Sequence, residues 1–518
     1  MEQPGPIDDR SAPPSWFNPR LAAVLHLPIE PIYQSTMLNK HVLIDTFSHP
    51  RAEQTVQLTP TTGISVKVKK VKPPKNYQTS IDKAKLEISS CTDPQELKAL
   101  HTKLKSAQTK HLKQQTNKDK ITKNFTIGLP LSKQQHKLVS SWYKECLLVY
   151  NTCVDFKYQK IVNIDILYNM KLLRAAVFDH LFTSKGVQKQ ACYETLGDEV
   201  RSFISNAKSC NTCIERKLIT RYTQKPRSLK NNRSLMVRGT AIGKKGLFPD
   251  KLGAIQGWND IYKQITGVCG EPERFCDSRL IYDDVTKRYT LNIPYFAEKE
   301  IIEERLPIVA LDPGEKIFQT FYSPEQSGRI GYDIRLVILQ EEKKIRRLER
   351  VIKHKKNKKG KKLRNPKALT RQIQLKYDRI RNITTELHHQ TAKWLTDQYD
   401  VIYIPVFETQ KMISNGKKNK ITDKREYKRR SRLNKRVKFV LNSLSHFRFR
   451  QHLLHKAEEK GCKVEIVEEH YTSQCCGQCG RLSKKYKQRV KECKCGCSVD
   501  RDLNGSRNIL IKSLYTSA

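Results

Sequence analysis

No stretch of this 518-residue chain strings together the ~18 apolar residues that a bilayer-spanning helix needs. The N-terminal MEQPGPIDDRSAPPSW lacks the charged-then-apolar pattern of a secretory leader, so the protein is expected to be soluble and intracellular. A disulfide framework is missing as well. The chain has 15 cysteines, an odd number, and Cys91, Cys146, Cys153, Cys192, Cys210, Cys213, Cys269, Cys276 and Cys462 are scattered, which excludes a secreted, stapled scaffold and fits a reducing compartment. Acidic residues are scarce: 52 Asp and Glu stand against 98 Lys and Arg, giving a net charge of +46. Such an excess goes beyond solubility and implies a polyanionic partner, which in the absence of a membrane segment is nucleic acid. Nothing points to a small-molecule substrate, and the length implies three or more modules.

What is abundant is local. Between Thr472 and Leu510 two cysteine clusters stand ahead of an Asp-Arg-Asp. Cys476-x-x-Cys479-Gly480 has the spacing of a zinc knuckle, in which Gly lets backbone amides turn towards the thiolates. The second knuckle is Cys493-x-Cys495-Gly496, one residue shorter than usual, with Cys497 as an alternative ligand. Four soft thiolates suit a closed tetrahedral zinc site, which supplies folding and not chemistry. Cys210-x-x-Cys213 has no flanking Gly and no matching pair, so it is read as an ordinary helical pair.

The chain before residue 75 is proline-rich and only weakly periodic, and a capped helix is expected from Asp93, with Leu97, Leu100 and Leu104 on one face. Ile121–Leu129 alternates like a strand, and a helix with Leu138, Trp142, Cys146 and Val149 follows. Basic residues with an interleaved aromatic run from Lys217 to Arg233, a pattern that tracks phosphates or simply meets solvent. Ser278–Tyr282 and Arg288–Ile293 read as a hairpin. Two long helices are expected between Ile334 and Leu395, joined by the lysine-rich break 354–362. The run Lys428–Arg432 serves nuclear import, nucleic-acid contact or both, and one helix is expected from Val437 to Lys460.

Three carboxylates end structured segments. Leu306–Leu311 is a buried-strand pattern ending in Asp312, whose bland alternative is an Asp-Pro-Gly turn. Tyr399–Phe407 likewise ends in Glu408. Asp502 opens a helix directly after the ribbon, where an N-cap is the alternative. Together they could clamp two divalent ions about 4 Å apart for in-line attack on phosphate, and hard oxygen ligands favour magnesium or manganese.

On Leu311-Asp312-Pro313-Gly314 with Phe318 and Tyr322, the strand ending at Glu408, Tyr471-Thr472-Ser473-Gln474 before the first knuckle, and Asp500-Arg501-Asp502-Leu503-Asn504-Gly505-Ser506-Arg507-Asn508-Ile509, the chain resembles the TnpB family and most closely its Fanzor relatives. Tyr150-Asn151 and His455-Lys456-Ala457-Glu458 are weaker echoes, and the likeness spans roughly 120–512. It implies an α+β multidomain protein: an RNase H-like (RuvC) nuclease domain split in sequence, a zinc ribbon, a wedge-like β-barrel and a helical recognition lobe. The implied layout is an N-terminal extension over 1–115 that is partly disordered, with its helix near 93–113, then the wedge over 116–130 and 216–300 around a lobe at 131–215. RuvC parts follow at 301–340, 397–471 and 500–518, with a basic helical hairpin at 341–396 and the ribbon at 472–499.

The activity implied is RNA-guided cleavage of double-stranded DNA, with guide RNA and target DNA as partners. Asp312, Glu408 and Asp502 would be the catalytic trio on magnesium or manganese, and Cys476, Cys479, Cys493 and Cys495 the zinc ligands. The basic stretches near 217–233, 353–364 and 424–438 would hold the heteroduplex, and in a eukaryotic host the protein would be nuclear. Other readings are an inactive guide-RNA and DNA-binding member, a zinc-ribbon DNA-binding accessory of transposition, and a strand-transferring transposase.

Overall fold

The computed structural model describes residues 13–15, 17, 33–39, 42–48, 77–89, 100–105, 107–108, 120–216, 219–228, 233–272, 274–353, 366–413, 433–482 and 489–517. The break 354–362, the run Lys428–Arg432 and most of the helix expected near 93–113 lie outside them; residues 100–105 are helical, with Leu100 buried. No helix among the described residues is long and apolar enough to cross a membrane.

The chain divides into two compact units, one of residues 117–298 and one of residues 1–116 with 299–518. In the first, Lys120–Leu129 pairs antiparallel with Arg288–Glu298, which continues through Ser278–Asp283 to Ser234–Val237. The expected hairpin turns at Lys287, in the left-handed region with φ 60°. Ser132 opens the helix Lys133–Tyr158 with a capping box: its hydroxyl accepts from the Gln135 amide at 3.2 Å, and the Gln135 side chain accepts from the Ser132 amide at 2.9 Å. Val139, Trp142, Cys146, Val149 and Cys153 recur at three and four residues and share one core with Phe203, Leu280 and Leu291. Cys210 and Cys213 lie in the last turns of the helix Tyr193–Glu215.

Two expectations change in this unit. Among the described residues the strands form a four-stranded sheet with Lys120–Leu129 and Ser234–Val237 at its edges, where a barrel was expected, and the helix Trp258–Cys269 packs against Lys120–Leu129 and Arg288–Glu298. The basic segment near 217–233 is partly spent on internal contacts. Arg227 stacks 3.6 Å over the Tyr150 ring and donates to Glu199 at 2.6 Å, while the Asn151 side chain accepts from its amide at 2.8 Å. Lys157 donates to Tyr222 and Gln224, and Arg233 pairs with Asp284 at 3.2 Å.

The other unit is built on a seven-stranded sheet. Its strands are β1 (Tyr33–Asn39), β2 (Val42–Ser48), β3 (Leu306–Pro313), β4 (Gln319–Tyr322), β5 (Gln326–Ile330), β6 (Tyr399–Pro405) and β7 (Lys463–Val467), in the order β1-β2-β5-β4-β3-β6-β7. From β1 to β3 all pairings are antiparallel; β3–β6 and β6–β7 are parallel. The contribution of β1 and β2 was not foreseen, because their sequences carry no alternation strong enough to stand apart from the surrounding prolines.

Helices α1 (Ile334–Lys353) and α2 (Pro366–Gln398) form the expected hairpin, with Ile338, Ile345, Ile380, Ile383 and Leu387 buried together. The single helix expected over 437–460 is instead two, α3 (Lys435–Leu444) and α4 (His446–Lys460). They part at Ser445, whose left-handed backbone, φ 48° and ψ 51°, no helix continues. A two-stranded ribbon, β8 (Val490–Glu492) and β9 (Ser498–Asp500), leads into α5 (Arg501–Ser517).

The break at Ser445 starts α4 with a buried imidazole. His446 and His388 both stack on one ring, Phe318, at 5.2 Å and 5.4 Å. His446 Nε2 lies 3.1 Å from the Gly314 carbonyl and His388 Nε2 lies 2.8 Å from that of Leu444. Burial pushes their pKa values down, His446 to about 3 and His388 to about 4. The unfolded chain therefore binds protons that the folded one refuses, so this stability is complete above pH ~6.5 and is lost as pH falls towards 4. Each imidazole is worth on the order of 3 kcal/mol of that loss. Melting temperature measured from pH 7 to pH 4 should fall steeply for the wild type and less steeply for His388→Phe/His446→Phe; equal slopes would remove this account.

Candidate active site

The central strand β3 buries Val309, Ala310 and Leu311 completely and carries Asp312, half-buried, at its end. Asp312 is not in a turn: it pairs in register with Thr320 of β4. At the start of α5, the capping role belongs to Asp500, whose Oδ1 accepts from the amides of Asp502 at 2.9 Å and Leu503 at 3.3 Å. Its Oδ2 accepts from Arg329 at 2.8 Å and Arg489 at 2.9 Å. Asp502, in the first turn, is thereby released from the cap.

Gly505 follows Asp502 by three residues and so shares its helix face. A Cβ on Gly505 would lie 2.4 Å from Asp312 Oδ2, so only a bare α-carbon lets α5 approach β3 this closely. Burial, then the charges of Asp502 and Glu469, push the Asp312 carboxyl well above the usual carboxylate range, with Arg501 opposing. Gly505→Val should force α5 off β3 and lower any activity of this centre by roughly 10²-fold, as small misplacements of reacting groups do. Kinetics alongside thermal melting check this, and unchanged turnover would show that the close approach is unimportant.

Glu408 and Glu469 end neighbouring parallel strands. Pro405 of β6 pairs with Val467 of β7, and the Val406 amide donates to the Val467 carbonyl at 3.2 Å. Glu408, three residues past β6, is exposed and is not among the charges that act most strongly on Asp312. It acts instead on Glu469, whose carboxyl is raised by burial and by Glu408, with His470 opposing. The charges of Asp502 and Glu469 thus bear on Asp312, and that of Glu408 bears on Glu469. Glu469 was passed over in the sequence, although an acid two residues beyond a strand satisfies the same rule that picked out Asp312 and Glu408. Among the described residues, no three carboxylates have oxygens all within 4.8 Å of one another.

Four sulfurs do close to that distance: Cys476, Cys479, Cys493 and Cys495. Cys476 Sγ lies 3.8 Å from Cys495 Sγ, and Cys479 Sγ 3.6 Å from Cys493 Sγ. A zinc tetrahedron with Zn–S bonds of ~2.3 Å sets its sulfurs ~3.8 Å apart, so the donor set fits zinc. Gly480 and Gly496 turn the two knuckles at φ 74° and 87°. Their amides donate to the carbonyls of Cys476 and Cys493, both at 2.9 Å. Cys497 lies outside the four-sulfur group.

The ribbon is fastened to α5 by the face 504/507/508. Asn504 accepts from the Gly477 amide at 2.8 Å and donates to the Cys475 carbonyl at 2.8 Å. Asn508 donates to the carbonyls of Thr472 and Cys475, at 2.8 Å and 2.9 Å. Buried Arg507 donates to the Gly477 carbonyl and to the Tyr322 hydroxyl on β4, and buried Lys491 donates to the Gln474 and Cys475 carbonyls. One motif therefore serves two faces, Asp502 and Gly505 towards β3 and Asn504, Arg507 and Asn508 towards the first knuckle.

Residues 446–509, which carry the ribbon and the start of α5, match the family model "Cas12f1-like, TNB domain". A much longer likeness joins the chain to "TnpB-like protein L79" of Acanthamoeba polyphaga mimivirus, 25% identical over 403 residues, 73% of this chain and 71% of that protein. The chain is thus similar to the TnpB family, and to its viral members in particular. A shorter likeness, 34% identical over 77 residues, 14% of this chain and 18% of the other, is to "CRISPR-associated endodeoxyribonuclease Cas12f1" of Sulfoacidibacillus thermotolerans. The solved Cas12f1-sgRNA-target DNA complex aligns with a TM-score of 0.40 at 12% identity, covering 76% of this chain and 99% of that one, too low a likeness to argue from.

Proposed function

We propose that this protein is a TnpB-family member of the Fanzor group, an RNA-guided endonuclease that cuts double-stranded DNA by hydrolysing phosphodiesters in one RuvC-like centre. The observation that carries the reading is the close approach of α5 to the central strand of a mixed sheet, where Gly505 lies against the Asp312 carboxylate and the charges of Asp502 and Glu469 bear on it. A net charge of +46 supports nucleic-acid partners, a guide RNA and its duplex target. Carboxylates whose charges bear on one another call for cations, and hard oxygen donors suit magnesium or manganese. Asp312, Asp502, Glu469 and Glu408 are the residues that would hold such ions. When bound, they would supply an activated water and charge stabilisation at the departing 3′ oxygen. The rest falls to the protein: β3 and α5 fix two carboxylates on rigid elements, and the ribbon, held by zinc on the four thiolates, keeps α5 in place. In a eukaryotic cell the run Lys428–Arg432 would direct the protein to the nucleus.

The test is cleavage of a matched duplex by protein purified with its native RNA. Cutting should require magnesium or manganese and should follow the sequence of the RNA; a metal-independent or guide-independent cut rejects the proposal. Of the two glutamates, Glu469→Gln should cost about 10²-fold in rate and Glu408→Gln about tenfold or less, roughly 3 against 1 kcal/mol of transition-state stabilisation. The reverse order would return the third ligand to Glu408.

A further inference from the structure

Beside the carboxylates lies an open cleft of about 550 Å³, within the ~300–1,000 Å³ of small-ligand sites. Lys316, Arg329, Tyr332, Arg335, Leu336 and Arg489 line it. Three carboxylates, Glu315, Asp500 and Asp502, answer its four cations. Arg335 donates to Glu315 at 2.8 Å, Arg329 and Arg489 share Asp500, and Lys316 has no ion-pair partner among the described residues. The surplus is positive, and a guanidinium held by one carboxylate keeps donors for another anion. Tyr332 and Leu336 are 42% and 61% exposed, so the cleft also offers an aromatic and an aliphatic surface to a flat partner.

Its position ties it to the reaction centre. Asp312 pairs with Thr320, and Thr320 with Arg329, so all three side chains share one sheet face, with Arg329 two strands, or ~10 Å, from Asp312. Arg489 reaches to 4.0 Å from Asp502. An anion in the cleft would thus be a close neighbour of the group attacked at Asp312 and Asp502.

We propose that this cleft holds one unpaired nucleotide of the strand being cut, its phosphate on Lys316 and Arg335 and its base against Tyr332 and Leu336. Charge alone would accept any anion; the exposed ring beside the cations adds base stacking, which every nucleobase offers. The inference rests on the nuclease reading of the Asp312 centre, and its role there is to orient the bond to be broken.

Photocrosslinking tests it without requiring turnover. The full chain with its native RNA is irradiated with single-stranded DNA carrying 5-iodouracil, and adducts are mapped by peptide mass spectrometry. An adduct on Tyr332 is expected, and its yield should fall at least fivefold in Lys316→Ala/Arg335→Ala while adducts elsewhere persist. Lys316→Ala alone, at an exposed position that cannot endanger folding, should show a smaller fall. DNA crosslinked elsewhere with Tyr332 unmodified, no DNA adduct at all, or a Tyr332 adduct indifferent to both substitutions would overturn the proposal. Cleavage is scored separately. A Tyr332 adduct in a protein that never cuts would reject the nuclease reading and keep the cleft as a nucleotide site, whereas cutting with Tyr332 unmodified would do the opposite.

Discussion

Asp312→Asn should abolish DNA cutting, by roughly 10³-fold or more, equivalent to about 4 kcal/mol of transition-state stabilisation, and should at the same time make the metal-free protein more heat-stable. Both effects follow from one arrangement. The carboxyl of Asp312 is raised well above its usual range by burial and by the charges of Asp502 and Glu469. A group whose folded pKa is raised contributes stability below the ordinary carboxylate range and loses it as pH rises, so near neutrality the ionised centre works against the fold. Asparagine keeps the shape and removes one of the repelling charges. The metal-free melting temperature is therefore expected to rise by about 2–4 °C. Magnesium should raise that of the wild type and leave the variant nearly unmoved, because binding to the folded state alone is what shifts the equilibrium. Undiminished cutting by the variant would remove the active-site assignment. A wild type indifferent to magnesium would mean that these carboxylates hold no ion.

Cys479→Ser should be the other severe change, acting through folding. About one zinc per chain is expected in the wild type and almost none in the variant. Without the metal, four facing thiols have no common partner, and the knuckle that receives Asn504, Arg507 and Asn508 loses its shape. Asp502 sits on the same helix as those three residues, so cutting should fail even though no carboxylate has changed. Metal analysis with circular dichroism and cleavage checks this, and a cutting variant without zinc would uncouple the ribbon from the site. Cys497→Ser should retain zinc and Cys495→Ser should lose it, because only Cys495 lies in the four-sulfur group. The opposite result would transfer the fourth ligand to Cys497.

How far the site could be read in the chain varies from residue to residue. Asp312 was legible because a fully buried run has to end in something, and an acid is a poor choice unless it is used. Asp502 was legible only as one of two acids two positions apart. Which of them caps α5 depends on Arg329 and Arg489, more than a hundred residues apart in the chain, both donating to Asp500. Glu469 was missed although its strand was recognised, since nothing local says that β7 lies beside β6 and ends level with it. Ser445 was read through as helix because its neighbours keep the helical period; the break serves a contact, His446 with Gly314, made 132 residues away.

The sequence by itself determined what is carried by spacing and composition. Thiolates two and three residues apart beside glycines can hardly do other than converge, and an excess of 46 positive charges needs a polyanion wherever it is folded. Only the tertiary structure decided which acids meet. Gly505 is brought against Asp312 by a helix lying on its glycine, and Glu408 and Glu469 end neighbouring strands through their register; such long-range approaches leave no period or spacing in the chain that makes them.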